Sequence, residues 1–264
     1  MRIILANIMA IYRKELLSYF ASPLAYAIAA VFWFVAGCFF MTILLGEINQ
    51  AAIVDQQYGG TVPPFDVPYR VLQGFLNVMG SFSLFILPML SMGLYAEERK
   101  RGTLELLATS PITNWAVAVG KLLGVVTFFT AIVTPVLGYE AIALSASDSP
   151  VPFVVPLLGH LGLILVAASV LSLGMFISSL TDSTVLAAIF TFVGVLLLWT
   201  IDLFGQMFGG VVGAVFGYLS LLRHYSNLVQ GVLDTSSLVF FASFIVLGVF
   251  LTAQSIDAFR FQRS

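Results

Sequence analysis

The sequence predicts an all-α integral membrane protein of about six transmembrane helices, and its composition and hydropathy carry that prediction. Hydrophobic residues make up 60% of the 264 residues and charged residues only 9%, whereas about 25% charged residues is usual in soluble domains. The mean hydropathy is +1.04. Because so few charged side chains cannot cover a globule in water, we expect lipid to cover it. Residues 1–264 are predicted to form one transmembrane domain.

The first 22 residues differ from the apolar runs that follow them. Apolar side chains recur there near helical spacing, and Arg13, Lys14 and Glu15 add charge shortly before Pro23. A helix with an apolar face and charged flanks is typical of the membrane surface. We therefore predict an interfacial helix over residues 1–22, on the cytoplasmic face.

Six runs with little or no charge follow, each close to the roughly 20 residues that a helix needs to cross a bilayer. Pro88 lies inside the second run and Lys121 near the start of the third. Residues 47–74 separate the first two runs and contain Gly and Pro turns, so we predict an external loop there. The predicted spans are 24–46, 75–96, 116–138, 155–178, 184–204 and 237–257.

The Lys and Arg residues predict the orientation, because cytoplasmic loops of membrane proteins carry an excess of both. With the N-terminus inside, only Arg70 and Arg223 of the 11 fall outside. Both termini are therefore predicted to be cytoplasmic, which requires an even number of crossings.

Residues 205–222 are apolar enough to resemble a seventh span, but an odd number of crossings would place Arg260 outside. We predict instead that 205–236 forms an outer re-entrant segment, buried against protein where irregular backbone is allowed. Glycines recur in it every four residues. They either form a smooth packing stripe on a helix or act as breakers in a loop. These glycines are Gly205, Gly209, Gly213 and Gly217.

The chain carries little that suggests chemistry. A phosphate-binding loop is absent, since Gly120-Lys121 is followed by Leu122 and lacks the leading glycine. The two histidines, His160 and His224, stand far apart in the sequence, so we expect packing roles for both and no metal site. No basic stripe indicates nucleic acid. We predict no catalytic residue and no cofactor bound directly by this chain.

Ion transport is also disfavoured. Coupled ion carriers place ionisable residues inside the membrane, whereas Glu140, Asp202 and Asp257 lie near predicted span ends, where we expect water to reach them. An ion channel is disfavoured because the sequence has no charged or carbonyl-rich pore pattern.

The densest charge follows the second span, in residues 97–113. We expect this span to continue into the cytoplasm as a charged helix that ends at Gly102, and Thr103 to cap a short second helix. Leucines outside the membrane need a surface to cover them. The segment is therefore either a docking element for a cytoplasmic partner or a solvated loop with ordinary positive-inside charge. The predicted interface comprises Glu97, Glu98, Arg99, Arg101, Gly102, Thr103, Leu104, Glu105, Leu106 and Leu107.

These residues resemble the cytoplasmic loop of the type 2 ABC exporter permeases, in which a short coupling helix rests on an ATPase. The resemblance covers nearly the whole chain. Residues 13–16 resemble the family's interfacial helix, and residues 178–182 its second cytoplasmic turn. Residues 222–225 and 231–234 resemble the outer stretch before the last span, and are similar to permeases of the gliding-motility-associated branch.

The resemblance implies one half of a transporter, embedded in the lipid of the bacterial inner membrane. A second permease copy, or a related permease chain, would pair with it. Two separate ABC ATPase subunits would bind ATP and press on the coupling helix, with Asp182 in the second turn adding to their contact. The alternative is a non-transporting membrane scaffold, or a force-transmitting subunit of an envelope or motility complex. A scaffold would tolerate replacement of the charged loop.

Overall fold

The computed structural model describes residues 2–58, 66–104, 112–145, 151–208 and 210–261. Within these ranges the regular elements are α-helices and no strand occurs. The ten helices of the described chain are α1 Arg2–Phe20, α2 Pro23–Tyr58, α3 Val67–Ser91, α4 Gly93–Lys100, α5 Asn114–Ser145, α6 Val154–Leu180, α7 Thr184–Met207, α8 Gly210–Leu219, α9 Leu221–Val229 and α10 Thr235–Phe261.

Six helical segments of the described residues are long and apolar enough to cross a membrane. Helices α3 and α4 together supply one of them, Val67–Lys100, and the other five lie in α2, α5, α6, α7 and α10. The prediction of an all-α multi-pass membrane protein is therefore confirmed.

Helix α6 lies at the centre of the bundle and packs against α3, α5, α9 and α10. It carries glycines where its neighbours approach closely: a Cβ added at Gly162 would lie 2.9 Å from Cδ2 of Tyr225. Helices α2 and α7 lie at the edge, because only 22% and 17% of the residues in their apolar windows are buried. Their exposed faces are available to lipid or to another protein chain.

Helix α1 packs along α5 through two glycines one turn apart. A Cβ added at Gly120 would lie 2.9 Å from Cβ of Ile11, and one added at Gly124 would lie 2.8 Å from Cβ of Glu15. Small residues spaced by four positions allow helix backbones to approach in this way. Any larger side chain at either glycine would push α1 away from α5.

The external loop predicted over 47–74 is wrong at both of its ends. Helix α2 continues to Tyr58 and α3 begins at Val67. The apolar run ends near residue 46, but no further Gly or Pro interrupts the chain before Gly59, so the helix has no reason to end with the run. Asp66 then caps α3 by accepting a hydrogen bond from the Tyr69 N–H (3.2 Å). An ion pair between Arg70 Nε and Glu47 Oε2 (2.9 Å) joins the two extensions.

Candidate functional site

Helix α4 ends in a turn closed by two backbone hydrogen bonds. The Gly102 N–H donates to the Arg99 carbonyl (3.1 Å), and the Thr103 N–H donates to the Glu98 carbonyl (2.9 Å). Gly102 has a φ of +70°, a left-handed conformation that glycine adopts without strain. The prediction that the charged helix ends at Gly102 is confirmed, and the turn gives the chain a defined direction as it leaves α4.

The predicted interface residues lie in different surroundings. Glu97 and Arg101 form an exposed ion pair one turn apart (2.5 Å), whereas Leu104 is buried. Asp182 is exposed in the turn between α6 and α7. The short helix predicted after Thr103, with Glu105, Leu106 and Leu107, lies outside the described residues.

The side chain of Ser178, in α6, bridges the junction between α3 and α4. Its hydroxyl oxygen accepts hydrogen bonds from the N–H groups of Tyr95 and Ala96 (3.0 Å each), and the same hydroxyl donates to the Met92 carbonyl (2.8 Å). One turn further along α4, the Arg99 guanidinium donates to the Ser179 carbonyl (2.9 Å). The charged helix is thus hydrogen-bonded to the C-terminal end of the central helix α6.

Lys121 lies at the centre of a cluster of four charged residues, which we call the Lys121 cluster. Its Nζ lies 2.8 Å from Glu15 Oε1 and 3.0 Å from Glu98 Oε1, and Lys14 contacts the same Glu98 oxygen at 3.0 Å. The Tyr95 ring lies 5.0 Å from Nζ of Lys121, which adds a cation–π contact. Two lysines and two glutamates balance in charge and join α1, α4 and α5.

Lys121 and Lys14 contribute differently to this cluster. Only 2% of the Lys121 surface is exposed, whereas the Lys14 side chain is mostly in solvent. Partial burial would lower the pKa of Lys14, but the carboxylates of Glu98 and Glu15 outweigh it, and the pKa is raised. Lys14 is therefore charged at neutral pH and can pair with both carboxylates.

A cleft of about 450 Å³ opens beside the Lys121 cluster. Charged and hydroxyl groups from α1, α4 and the turn after it line the cleft, and most of its charged groups are already held in ion pairs. Among the described residues that line the cleft, the hydroxyl groups of Ser18 and Thr103 donate to backbone carbonyls and not to a base. What the arrangement can do is transmit a displacement of the α4 end to α1 and α5.

Three of the four predicted glycines lie where α8 folds back against α7. A Cβ added at Gly205 would lie 3.0 Å from the Gly217 nitrogen, and one added at Gly213 would lie 2.9 Å from the Gly205 carbonyl oxygen. The fourth, Gly209, lies outside the described residues. Gly210 begins α8 with a φ of +71°, so the chain reverses sharply between the two helices.

The prediction that water reaches Glu140 is wrong. Only 2% of its surface is exposed, because α5 packs against α6 along this stretch. Asp257 is partly buried and accepts a hydrogen bond from the Asn114 amide (2.5 Å), and the side chain of Asp202 is not among those described. The sequence places Glu140 near a span end, but its burial depends on neighbouring helices.

Both histidines are buried. His224 has partners at both ring nitrogens, Ser237 Oγ at 3.0 Å and the Tyr218 carbonyl at 2.8 Å, which is typical of a packing histidine. His160 contacts the Pro156 carbonyl through Nδ1 (3.0 Å). Among the residues that the structure describes, no group of three or more His, Cys, Asp or Glu residues is placed to hold a metal ion.

Glu15, Lys121 and Ser178 were not predicted as site residues. The signal for Lys121 is its position between Gly120 and Gly124, which marks a close helix contact around a charge. The other two carry no comparable local signal, because Glu15 lies 106 residues from its partner Lys121 and Ser178 lies 83 residues from Tyr95.

A comparison with protein families places residues 6–205 within the model described as ABC-2 type transporter. The matched range begins in α1, includes α2 to α6 with the Lys121 cluster and the Gly102 turn, and ends in α7. A comparison with curated proteins finds no match.

Proposed function

Because the chain belongs to the ABC-2 type transporter family, we propose that it is the permease subunit of an ATP-driven exporter whose ATP is hydrolysed on separate subunits. The subunit resides in the bacterial inner membrane with both termini in the cytoplasm. In this arrangement α1 lies along the cytoplasmic face, α7 crosses the membrane, and residues 205–236, which include α8 and α9, form a re-entrant segment at the outer face.

The observation that carries the proposal is the connection between the Gly102 turn and the membrane helices. A charged helix that only solubilised a loop would need no buried contacts. Instead, Ser178 and Ser179 hold α4 against α6, and the Lys121 cluster holds it against α1 and α5. Such contacts suit an element that receives a mechanical input.

The proposed coupling interface is the exposed part of residues 97–107 together with Asp182. ATPase subunits below the membrane contact the segment that follows Thr103. When ATP brings the two ATPase subunits together, the segment moves and the Gly102 turn passes that movement to α4. Helices α1, α5 and α6 then move with it, because packed interiors transmit displacement.

A second permease chain completes the transporter. The poorly buried faces of α2 and α7 supply surfaces for such a chain, either an identical copy or a related one. The cargo path would then lie between two subunits. Because the spans are apolar and poor in charge, a lipidic or amphiphilic cargo suits such a path better than a small ion.

The test of this function is whether an ABC ATPase subunit docks on the Gly102 turn. Cysteine is introduced at Thr103 in a Cys38→Ser background, the chain is co-expressed with an ABC ATPase subunit, and thiol cross-linking is measured in membranes. We expect the Thr103→Cys variant to cross-link to the ATPase. A cysteine at Tyr218, which is exposed in the predicted outer segment, should not.

Two further results separate an exporter from a scaffold. In the exporter, the rate of ATP hydrolysis by the purified ATPase subunit changes when the permease is added, and ATP shifts the cross-linking yield at Thr103. If the inserted chain neither binds an ATPase subunit nor alters its hydrolysis rate, the proposal fails and the scaffold alternative takes its place.

A further inference from the structure

Glu140 and His160 form a buried pair that the proposed coupling does not use. Glu140 lies in the final turns of α5 and His160 near the start of α6, so the pair is far from the Gly102 turn. The exposed fractions are 2% for Glu140 and 4% for His160. The nearest atoms of the pair, His160 Nδ1 and Glu140 Oε2, are 3.7 Å apart, which is too far for a hydrogen bond.

Neither carboxyl oxygen of Glu140 has a hydrogen-bond partner among the described residues. The donors nearby are already used. His160 Nδ1 lies 3.0 Å from the Pro156 carbonyl, and the Tyr225 hydroxyl of α9 donates to the Leu76 carbonyl of α3 (2.6 Å). The Tyr225 ring lies between Gly80 and Gly162: a Cβ added at Gly80 would collide with it, and one added at Gly162 would lie 2.9 Å from it.

A carboxylate in these surroundings is unfavourable. Burying an ionised group without hydrogen bonds carries a large free-energy cost, which a charged partner repays only when the contact geometry is good. The ionisable groups that face Glu140 are His160 on α6 and Tyr225 on α9, and neither donates to it. Protonation removes the charge, so the neutral carboxyl group costs less free energy to bury here than the carboxylate does.

We propose that Glu140 is a proton-binding site inside the membrane-spanning bundle, and that the N–H group of His160 controls release of the proton. The Val133 carbonyl also faces the His160 side chain. The His160 Nδ1–H itself lies near two acceptors, the Pro156 carbonyl at 3.0 Å and Glu140 Oε2 at 3.7 Å. While it donates to Pro156, Glu140 keeps its proton. When it turns to Oε2, the carboxylate gains a donor and the proton leaves to water.

The switch links protonation to the spacing of two helices. The turn of the His160 ring that shortens the 3.7 Å separation to a charge-assisted hydrogen bond of about 2.8 Å is assisted by an approach of α5 and α6 of up to about 1 Å. Proton release therefore accompanies approach of the two helices, and proton uptake accompanies their separation. No oxidation or bond cleavage is involved, because the proton only exchanges with bulk water.

The site is tested on the full chain in lipid bilayers by infrared spectroscopy as pH is varied. We expect the C=O band of a protonated carboxyl group at neutral pH in the native chain. Glu140→Gln should remove the band, and Glu47→Gln, the same change at a carboxylate paired with Arg70, should keep it. If Glu140→Gln does not fold, Glu140→Asp identifies the band by shifting its frequency.

His160 variants test the second half of the proposal. His160→Phe removes the N–H donor, so the carboxyl band should persist to higher pH than in the native chain. His160→Gln retains an N–H donor, so its carboxyl band should disappear at a pH closer to that of the native chain.

A neutral-pH spectrum without the band, or a band unchanged by Glu140→Gln and Glu140→Asp, would overturn the site. Identical titration of the native chain and His160→Phe would overturn the control by His160. None of these measurements requires an ATPase subunit.

Discussion

Lys121 Nζ contacts Glu15 Oε1 at 2.8 Å, and this contact joins the third predicted span to the helix that precedes the first. Removing one partner of a buried ion pair typically costs about 3–5 kcal/mol, because the other charge remains buried. Lys121→Met should therefore lower the thermal unfolding temperature of the purified chain strongly. Lys100→Met, the same change at an exposed lysine, should have little effect. Equal unfolding temperatures for the two variants would show that the Lys121 cluster does not stabilise the fold.

Substitutions at Gly102 should impair function while the chain still inserts into the membrane. Nothing lies within 4 Å of a Cβ added there, so a substitution acts only through the φ of +70°. A β-branched residue resists that conformation, which costs an ordinary L-residue about 1–2 kcal/mol. Gly102→Val should reduce the coupling of ATP hydrolysis to transport in a reconstituted complex, while Gly102→Asn should retain most of it. Full coupling in the Val variant would favour a solvated loop.

The hydrogen bonds of Ser178 are expected to stabilise the junction between α3 and α4. Ser178→Ala leaves the N–H groups of Tyr95 and Ala96 without their hydroxyl acceptor, at a cost of about 1–3 kcal/mol for a buried unsatisfied group. Ser172→Ala is the matched control, because its hydroxyl donates only to the Ser169 carbonyl of its own helix (2.8 Å). The thermal unfolding temperature should fall further in Ser178→Ala than in Ser172→Ala. A larger fall in Ser172→Ala would contradict the role given to Ser178.

The glycines at the contact between α7 and α8 predict which substitutions disturb the packing of these two helices. Gly205→Leu and Gly213→Leu insert bulk between α7 and α8, and overpacking of this kind costs typically about 1–3 kcal/mol. Val211→Leu and Val215→Leu should be mild, because both valines are exposed on α8. Assembly and stability across a scan of residues 205–217 provide the measurement. Equal effects of the leucine substitutions at the two glycines and at the two valines would remove the packed-helix interpretation and leave the family assignment intact.

Topology can be tested with single cysteines in a Cys38→Ser background. Cysteines at Thr109 and Ser264 should react only with reagents applied to the cytoplasmic side, and one at Gly59 only from outside. Six crossings with both termini inside require this pattern. Labelling of position 264 from the outer side would show that the chain crosses the membrane once more, and residues 205–222 would be the candidate for that crossing.

The spans and the Gly102 turn were predictable from the sequence because their causes are local. A long apolar run and a glycine after a charged helix act through neighbouring residues. The extension of α2 to Tyr58 was missed because the prediction ended the helix where hydrophobicity ended, whereas helix formation continues until a breaker. Hydropathy marks the membrane-crossing part of a helix and says little about the remainder.

The charged contacts were not predictable for a different reason. Lys121 and Glu140 both lie near the ends of apolar runs, where charge commonly meets water, yet both are 2% exposed. Their burial depends on helices that are distant in the sequence. Only the paired glycines beside Lys121 signalled that another backbone approaches there, and nothing comparable precedes Glu140.

The distance of 106 residues between Glu15 and Lys121 imposes an order on biosynthesis. A ribosome completes α1 long before it makes the glycine face on α5 and the ammonium group that receives Glu15. Until the third span is inserted, α1 lacks the glycine face of α5 against which it packs, and Glu15 has to remain hydrated. A nascent chain stalled before residue 120 would therefore expose α1 to proteases and targeting factors that the finished protein excludes.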